Sequence, residues 1–263
     1  MNVEKAYMPE QPFFELSTES YFSQLAMSDS GLAKYYSFIV ALDVDKHIVA
    51  VPDGTVDIVI QCSGNQPDGQ VCGSVKKGRQ VEFKPGILYF GARFFPGTAD
   101  ELLQCPLDQF TEQQIPLTDV HRSAEELVER ISLAESFGDR IKLFESFYAQ
   151  QIRKRSGVST LVSYLIDKIN RAHGDIRVGD LVEDTGYSVR YISGLFSRAV
   201  GISPKLYSRI VRFQRCFGLL RGHDALSYAN LAQDNGYYDQ AHFINEFREF
   251  SLCTPAQALG ACA

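Results

Sequence analysis

Arg190, Ser193, Gly194 and Ser197 fall at three- and four-residue intervals, so a helix would gather them on one side. Its other side would carry Val189, Ile192, Leu195, Phe196 and Ala199, a stripe suited to a core. The first group offers a guanidinium and two hydroxyls with little bulk around them, and Arg198 borders it. That combination suits a helix entering a groove about 12 Å wide and hydrogen-bonding to base edges. Fifty residues on, Gln240, His242, Asn245 and Arg248 would face outward while Phe243, Phe247 and Phe250 face inward. The chemistry on offer is non-covalent recognition of a polyanion.

The elements that must position these residues form a degenerate repeat. The run L-V-E-D-T-G-Y at 181–187 returns as L-A-Q-D-N-G-Y at 231–237. Each copy is followed by a helix with an inward aromatic, Phe196 or Phe247, and then by Ser203-Pro204 or Thr254-Pro255. Gly186 and Gly236 sit where a helix-turn-helix needs a positive φ, and Ser188 and Asp239 suit the N-caps of the second helices. Lys205 to Leu220 reads as one connecting helix. Its Arg209, Arg212 and Arg215 make a basic edge for phosphates or acidic partners, with a solvated face as the alternative.

The preceding half is of another kind. Between about Tyr35 and Leu117, alternating apolar residues and Pro/Gly turns predict short strands in a sandwich or barrel. In V-D-I-V-I-Q, Val56, Ile58 and Ile60 share one face, opposite Asp57, Val59 and Gln61. Alternation also predicts Tyr89, Arg93 and Phe95 on one face. An arginine among aromatics could hold an anionic effector with Asp57 nearby, but an ion pair of Arg93 with Asp57 or Asp53 is the favoured reading. Leu127, Ile131, Leu133, Ile141, Phe144 and Tyr148 fit two amphipathic helices within 123–152. These are expected to dimerise the chain, the alternative being that they cover the sheet. Arg153-Lys154-Arg155-Ser156-Gly157 reads as an exposed linker.

With 263 residues, the chain is expected to hold two domains. The fold class is α+β: a β-rich domain at 1–122, a helical dimerisation or linker region at 123–156, and an all-α domain at 157–263. Charge divides the same way. Residues 1–150 hold 12 Lys and Arg against 22 Asp and Glu, a net of −10, whereas 151–263 hold 14 against 10, a net of +4. Only the second part tolerates a phosphate backbone. There is no nucleophile elbow, phosphate loop or histidine pair at metal-ligand spacing, so no enzyme, cofactor or metal is expected. The six cysteines lack any C-x-x-C pair and read as free thiols, with a Cys62–Cys72 redox pair as the alternative. No apolar run reaches the length of about 18 residues that a span needs, and the N-terminus lacks a signal pattern, so a cytoplasmic location is expected.

The stretches 186–214 (G-Y-S-V-R-Y-I-S-G-L-F-S-R-A-V-G-I-S-P-K-L-Y-S-R-I-V-R-F-Q) and 236–255 (G-Y-Y-D-Q-A-H-F-I-N-E-F-R-E-F-S-L-C-T-P) closely resemble the AraC/XylS family of transcription regulators. The resemblance covers about 159–259. It implies two helix-turn-helix units, joined by a long helix, that enter successive major-groove segments of double-stranded DNA. Arg190, Ser193, Gly194 and Ser197 would then face bases or phosphates from the first unit, and Gln240, His242 and Asn245 from the second. Gly194 replaces a commonly long polar residue, and Leu252 a customary glycine before Thr-Pro. The segments V-P-D-G-T-V-D-I-V-I (51–60), Y-F-G-A-R-F-F-P-G (89–97) and I-P-L-T-D-V (115–120) look like the N-terminal domain of one subgroup. That implies a sensor-like domain for a small molecule or partner; an activator would also contact RNA polymerase. The alternatives are a non-DNA-binding interaction protein and an enzyme built on the β-rich half.

Overall fold

The computed structural model describes residues 7–16, 18, 20–27, 31–40, 42, 48–63, 66–152, 160–222 and 227–262. The expected linker at 153–157 lies outside them. After a short helix α1 (Pro12–Leu16), the strands are β1 (Ser20–Leu25), β2 (Leu32–Ile39), β3 (Ile48–Ala50), β4 (Asp57–Gln61), β5 (Asp68–Cys72), β6 (Arg79–Val81) and β7 (Leu88–Phe94). Helix α2 (Asp100–Leu103), a 3-10 turn (Leu107–Gln109), β8 (Gln114–Pro116) and α3 (Leu117–Val120) follow. Six strands form an antiparallel sheet ordered β1-β2-β7-β4-β5-β8, and β3 pairs with β6 beside it. The domain is β-rich as expected, but among the described residues the sheet does not close into a barrel.

Alternation sorts the two faces of the sheet. Val56, Ile58, Ile60, Phe90 and Phe94 enter one core, while Tyr36, Phe38, Val59 and Tyr89 enter another against β3 and β6. Helices α4 (Ala124–Leu133) and α5 (Phe137–Ile152) lie over the first face. Leu127, Ile131, Ile141, Phe144 and Tyr148 are buried there, so the apolar sides of these helices are spent on the sheet. Leu133 departs from the expected stripe and is exposed. A homodimer would have to use the outer faces.

Beyond this, α6 (Thr160–Arg171), α7 (Val178–Thr185), α8 (Val189–Val200), α9 (Pro204–Gly222), α10 (Tyr228–Asp234), α11 (Gln240–Ser251) and α12 (Pro255–Cys262) form an all-helical domain. One aromatic-rich core serves both repeat units: Phe213 of α9 lies 5.3 Å from Phe247 and 5.4 Å from Phe250, ring centre to ring centre. The N-terminal segment reaches into that core. Phe13 meets Phe217 edge-on at 5.7 Å, and Val51 belongs to the same cluster. No helix among the described residues is long and apolar enough to cross a membrane.

Cys62 and Cys72 are free and sit at opposite ends of the β4–β5 hairpin: Cys72 pairs in register with Asp57, whereas Cys62 lies just past Gln61, whose partner is Asp68. Burial pushes the Cys62 thiol up to about 11 and the Cys216 thiol up to about 12. Both should therefore resist alkylation at pH 8 in the folded protein and react once it is denatured. Mass spectrometry after brief iodoacetamide treatment checks this; rapid native labelling of either would contradict the packing.

Candidate nucleic-acid interface

Each helix-turn-helix turns at the expected glycine, with φ of 70° at Gly186 and 72° at Gly236. The second helix then starts on a side-chain cap. Ser188 Oγ accepts from the Tyr191 N–H at 3.3 Å, and Asp239 Oδ1 from the His242 N–H at 2.7 Å. On α8, Ile192, Phe196 and Val200 are buried and Leu195 and Ala199 half-buried; Val189, assigned to the apolar stripe, is exposed instead. The next turn begins at Gly201 (φ 92°), and its counterpart after α11 is Leu252 at φ 61°, a left-handed position held without glycine.

Arg190 and Gly194 are exposed, and Ser193 and Ser197 are half-buried. A Cβ on Gly194 would meet nothing within 4 Å among the described residues, so the bare stretch of α8 leaves room there. Arg198 is exposed but lines a cleft with Asp100, Gln104 and Pro106 of the N-terminal domain. On α11, Gln240, His242, Asn245 and Arg248 are exposed, while Phe243, Phe247 and Phe250 are fully buried. The surface also carries aromatics that residue patterning missed: Tyr187 and Tyr191 stack at 4.9 Å and are both about half exposed, and Tyr238 is 92% exposed. Their i, i+4 spacing and their position after the turn glycine were the available signal.

The arginines of α9 do not form a free basic edge. Arg209 Nε donates to Glu246 Oε2 at 2.6 Å and its Nη2 to Glu249 Oε2 at 2.7 Å. Burial lowers the Arg209 pKa, but the two carboxylates more than reverse this and hold it above its ordinary value. Arg212 lies 3.6 Å from Glu246 Oε1, donates to the Gly236 carbonyl at 2.9 Å and stacks over the Tyr237 ring at 4.5 Å. Arg215 is half-buried, with its Nε enclosed. Glu246, only 3% exposed within a helix of outward polar residues, is the centre of this web, and patterning did not single it out.

In the N-terminal half the four candidate effector residues do not make one site. Arg93 is 4% exposed and grips Asp57, with Nε 2.9 Å from Oδ1 and Nη2 2.6 Å from Oδ2. Its Nη1 stands 3.3 Å from Asp53 Oδ2. Tyr36 donates to Asp57 Oδ2 at 2.7 Å, and its ring lies where any Cβ on Gly91 would fall, so β7 needs a glycine there. The favoured ion-pair arrangement of Arg93 is the one present. Tyr89 is also buried, among Phe38 and Phe83, and its hydroxyl accepts from the Lys84 N–H. Phe95 lies one residue beyond the end of β7, is half-buried, and among the described residues lines neither the cavity beside Arg93 nor the cluster around Tyr89. The cavity beside Arg93, lined also by Phe14, Tyr36 and Phe83, is about 60 Å³, room for about two waters.

The family described as "Helix-turn-helix domain" matches residues 181–260, and "Domain of unknown function (DUF6597)" matches residues 31–116. No curated protein matches the chain. Among solved structures the chain is similar to a probable AraC family transcriptional regulator from Rhodopseudomonas palustris, at 26% identity over 38% of this chain and 91% of that one, with a TM-score of 0.33. It is also similar to ToxT from Vibrio cholerae, at 10% identity over 92% of this chain and 99% of that one, with a TM-score of 0.40. The C-terminal part of the chain is an AraC-type helix-turn-helix domain, carried behind an N-terminal domain of the DUF6597 family.

Proposed function

We propose that this protein is a sequence-specific DNA-binding transcription regulator in which α8 and α11 read adjacent major-groove segments. The single observation that supports this best is the pairing of two capped helices in one chain, each turned outward along a polar stripe and backed by the same core. Phosphate contacts would supply affinity and base-edge contacts specificity. Arg190, Ser193, Gly194, Ser197 and Arg198 from one unit, and Gln240, His242, Asn245 and Arg248 from the other, are the assigned contacts. Tyr187, Tyr191 and Tyr238 flank them. Arg209 and Arg212 instead hold Glu246 and Glu249 in place, which sets the attitude of α11.

The experiment is selection of full-length protein on randomised duplex DNA across a salt series, repeated with Arg190→Ala. Enrichment of a two-part motif is expected. If Arg190 reads a guanine, the substitution costs about 1–3 kcal/mol and relaxes one operator position. A uniform loss over all sequences would make it a phosphate contact, and no enrichment with a flat salt dependence would sink the DNA-reading role.

Sensing belongs to the N-terminal domain in this reading. The cleft between α2 and α8, about 340 Å³ and bounded by Asp100, Gln104, Leu195 and Arg198, is of ligand size and touches the reading helix directly. The cavity beside Arg93 is far smaller, and its cation is already paired. Small molecules that raise the melting temperature of the full chain and alter its operator affinity would support the cleft as the effector site; ligand-induced stabilisation unaffected by Leu195→Trp would count against it.

A further inference from the structure

The loop between β5 and β6, residues 73–78, touches both helix-turn-helix units. At its start, Ser74 Oγ lies 2.9 Å from the Thr55 carbonyl and 3.3 Å from that of Val200, the last residue of α8. Thr111 Oγ1 donates to the next carbonyl, that of Gly201. At the other end of the loop, the Gly78 N–H donates to the Glu249 carbonyl in the last turn of α11 at 3.0 Å, and Lys77 Nζ stands 3.2 Å from Glu249 Oε1. The loop itself is tied down by Glu112. The Glu112 N–H donates to the Ser74 carbonyl at 3.0 Å, its carboxylate accepts from the Lys76 N–H, and its carbonyl accepts from Arg79 Nη1 at 3.1 Å.

A clamp at the C-terminal ends has leverage at the N-terminal ends, where Arg190 and Gln240 stand. Helix α8 has 12 residues and so runs about 18 Å. A tilt of about 10° at its clamped end moves its tip by about 3 Å, close to the rise of one base pair, about 3.4 Å. Helix α9 alone fixes where the two units sit along its length, but packed helices can still pivot about their contact. A second tie removes that freedom.

We propose that the β5–β6 loop, with the Thr111–Glu112 segment hydrogen-bonded to it, is a brace fixing the separation of the two reading helices, so that Ser74, Gly78 and Thr111 determine which half-site spacing the protein accepts. The inference rests on the DNA-reading function proposed above and concerns spacing alone, not base identity. Glu249 joins the brace to α9 as well, because its carboxylate holds both Lys77 and Arg209. Hydrogen bonds cross between the domains mainly through main-chain carbonyls, which leave the outward side chains of α8 and α11 untouched.

Gly78 gives a clean test. A Cβ there would stand 2.6 Å from the Phe250 carbonyl oxygen, so Gly78→Ala forces the loop off α11. Its φ is not positive, so alanine is otherwise tolerated. Full-length wild type, Gly78→Ala and Thr111→Val are each measured on the selected two-part site and on the same half-sites moved together or apart by one and two base pairs. Wild type is expected to lose about tenfold for each misplaced base pair, as for a mismatch. The variants should keep the half-site sequences but flatten the spacing penalty to within about threefold. Thr111→Val removes a donor without adding bulk and carries the test if Gly78→Ala does not fold. A sharp, unchanged profile in the folded variants overturns the brace and leaves the regulator reading standing; failure of wild type to enrich any motif overturns both.

Discussion

Arg93→Met should lower the stability of the protein by about 3–5 kcal/mol, seen as a fall in the urea midpoint at nearly constant slope. The substitution keeps bulk but leaves Asp57 and Asp53 facing each other with no cation, both less than a tenth exposed. Burial works against the Arg93 charge, yet Asp57 and Asp53 more than restore it and hold its pKa well above the ordinary value. Asp53 would retain Gln11 and Thr55 as donors, whereas Asp57 would keep, among the described residues, Tyr36 and a long contact to Thr55. The double variant Arg93→Met, Asp57→Leu removes the Arg93 and Asp57 charges, leaves Asp53 with Gln11 and Thr55, and should recover much of the loss, because an apolar pair escapes the desolvation cost. A drop below about 1 kcal/mol for the single variant would mean that water replaces the guanidinium, and Arg93 would regain standing as an effector contact.

That residue also marks how far the sequence could be read. Alternation set a face for Asp57 on β4 and one for Arg93 on β7, the pairing of the two was the favoured reading, and the register sets them directly opposite. The helix-turn-helix units were legible for a similar reason: Gly186, Ser188 and Phe196, with Gly236, Asp239 and Phe247, act on neighbours within about three turns of helix. Phe95 sits one residue past the strand, at a Pro-Gly turn that the sequence displayed, and alternation carried no sign that it stands apart from the cavity beside Arg93. Glu246 was missed for a different reason. Its partner Arg209 is 37 residues away, and an acid among outward polar residues carries no mark of burial. Most contacts between the domains were beyond reach, since the groups offered by α8 and α11 are, apart from the Glu249 carboxylate, the carbonyls of Val200, Gly201 and Glu249, which every sequence possesses.

The same contacts reconcile an acidic chain with a phosphate partner. The N-terminal half, at −10, is fastened to the C-terminal ends of both reading helices, so its hydrogen bonds lie away from Arg190 and Gln240. With a Debye length near 8 Å at physiological salt, about half the length of α8, most of that repulsion is screened at the helix tips. The +4 of residues 151–263 then sets the local field. Specificity in such a field comes from how few cations are left free to meet phosphate indiscriminately.

Glu246→Ala should for that reason move two measurements in opposite directions. Glu246 neutralises Arg209 and Arg212 together, and its removal takes from Arg212, with 13% of its side chain exposed, the ion-pair carboxylate it has among the described residues. Stability should fall by about 3 kcal/mol, the low end for breaking a buried pair, because Arg209 keeps Glu249. The hollow between α7, α9 and α11 also gathers Arg177, Lys205 and His242 beside these two arginines, with Asp175 as a second carboxylate. Losing Glu246 there leaves Asp175 against the cations and makes the surface near α11 more positive. Affinity for unrelated duplex should rise, and the slope of log affinity against log salt should steepen by about 1, the mark of one additional phosphate contact. Thermal unfolding and salt-dependent binding to a scrambled duplex measure the two effects. A protein that was merely unfolding would lose stability and binding together, so a fall in both would assign Glu246 to the core alone and remove it from the control of specificity.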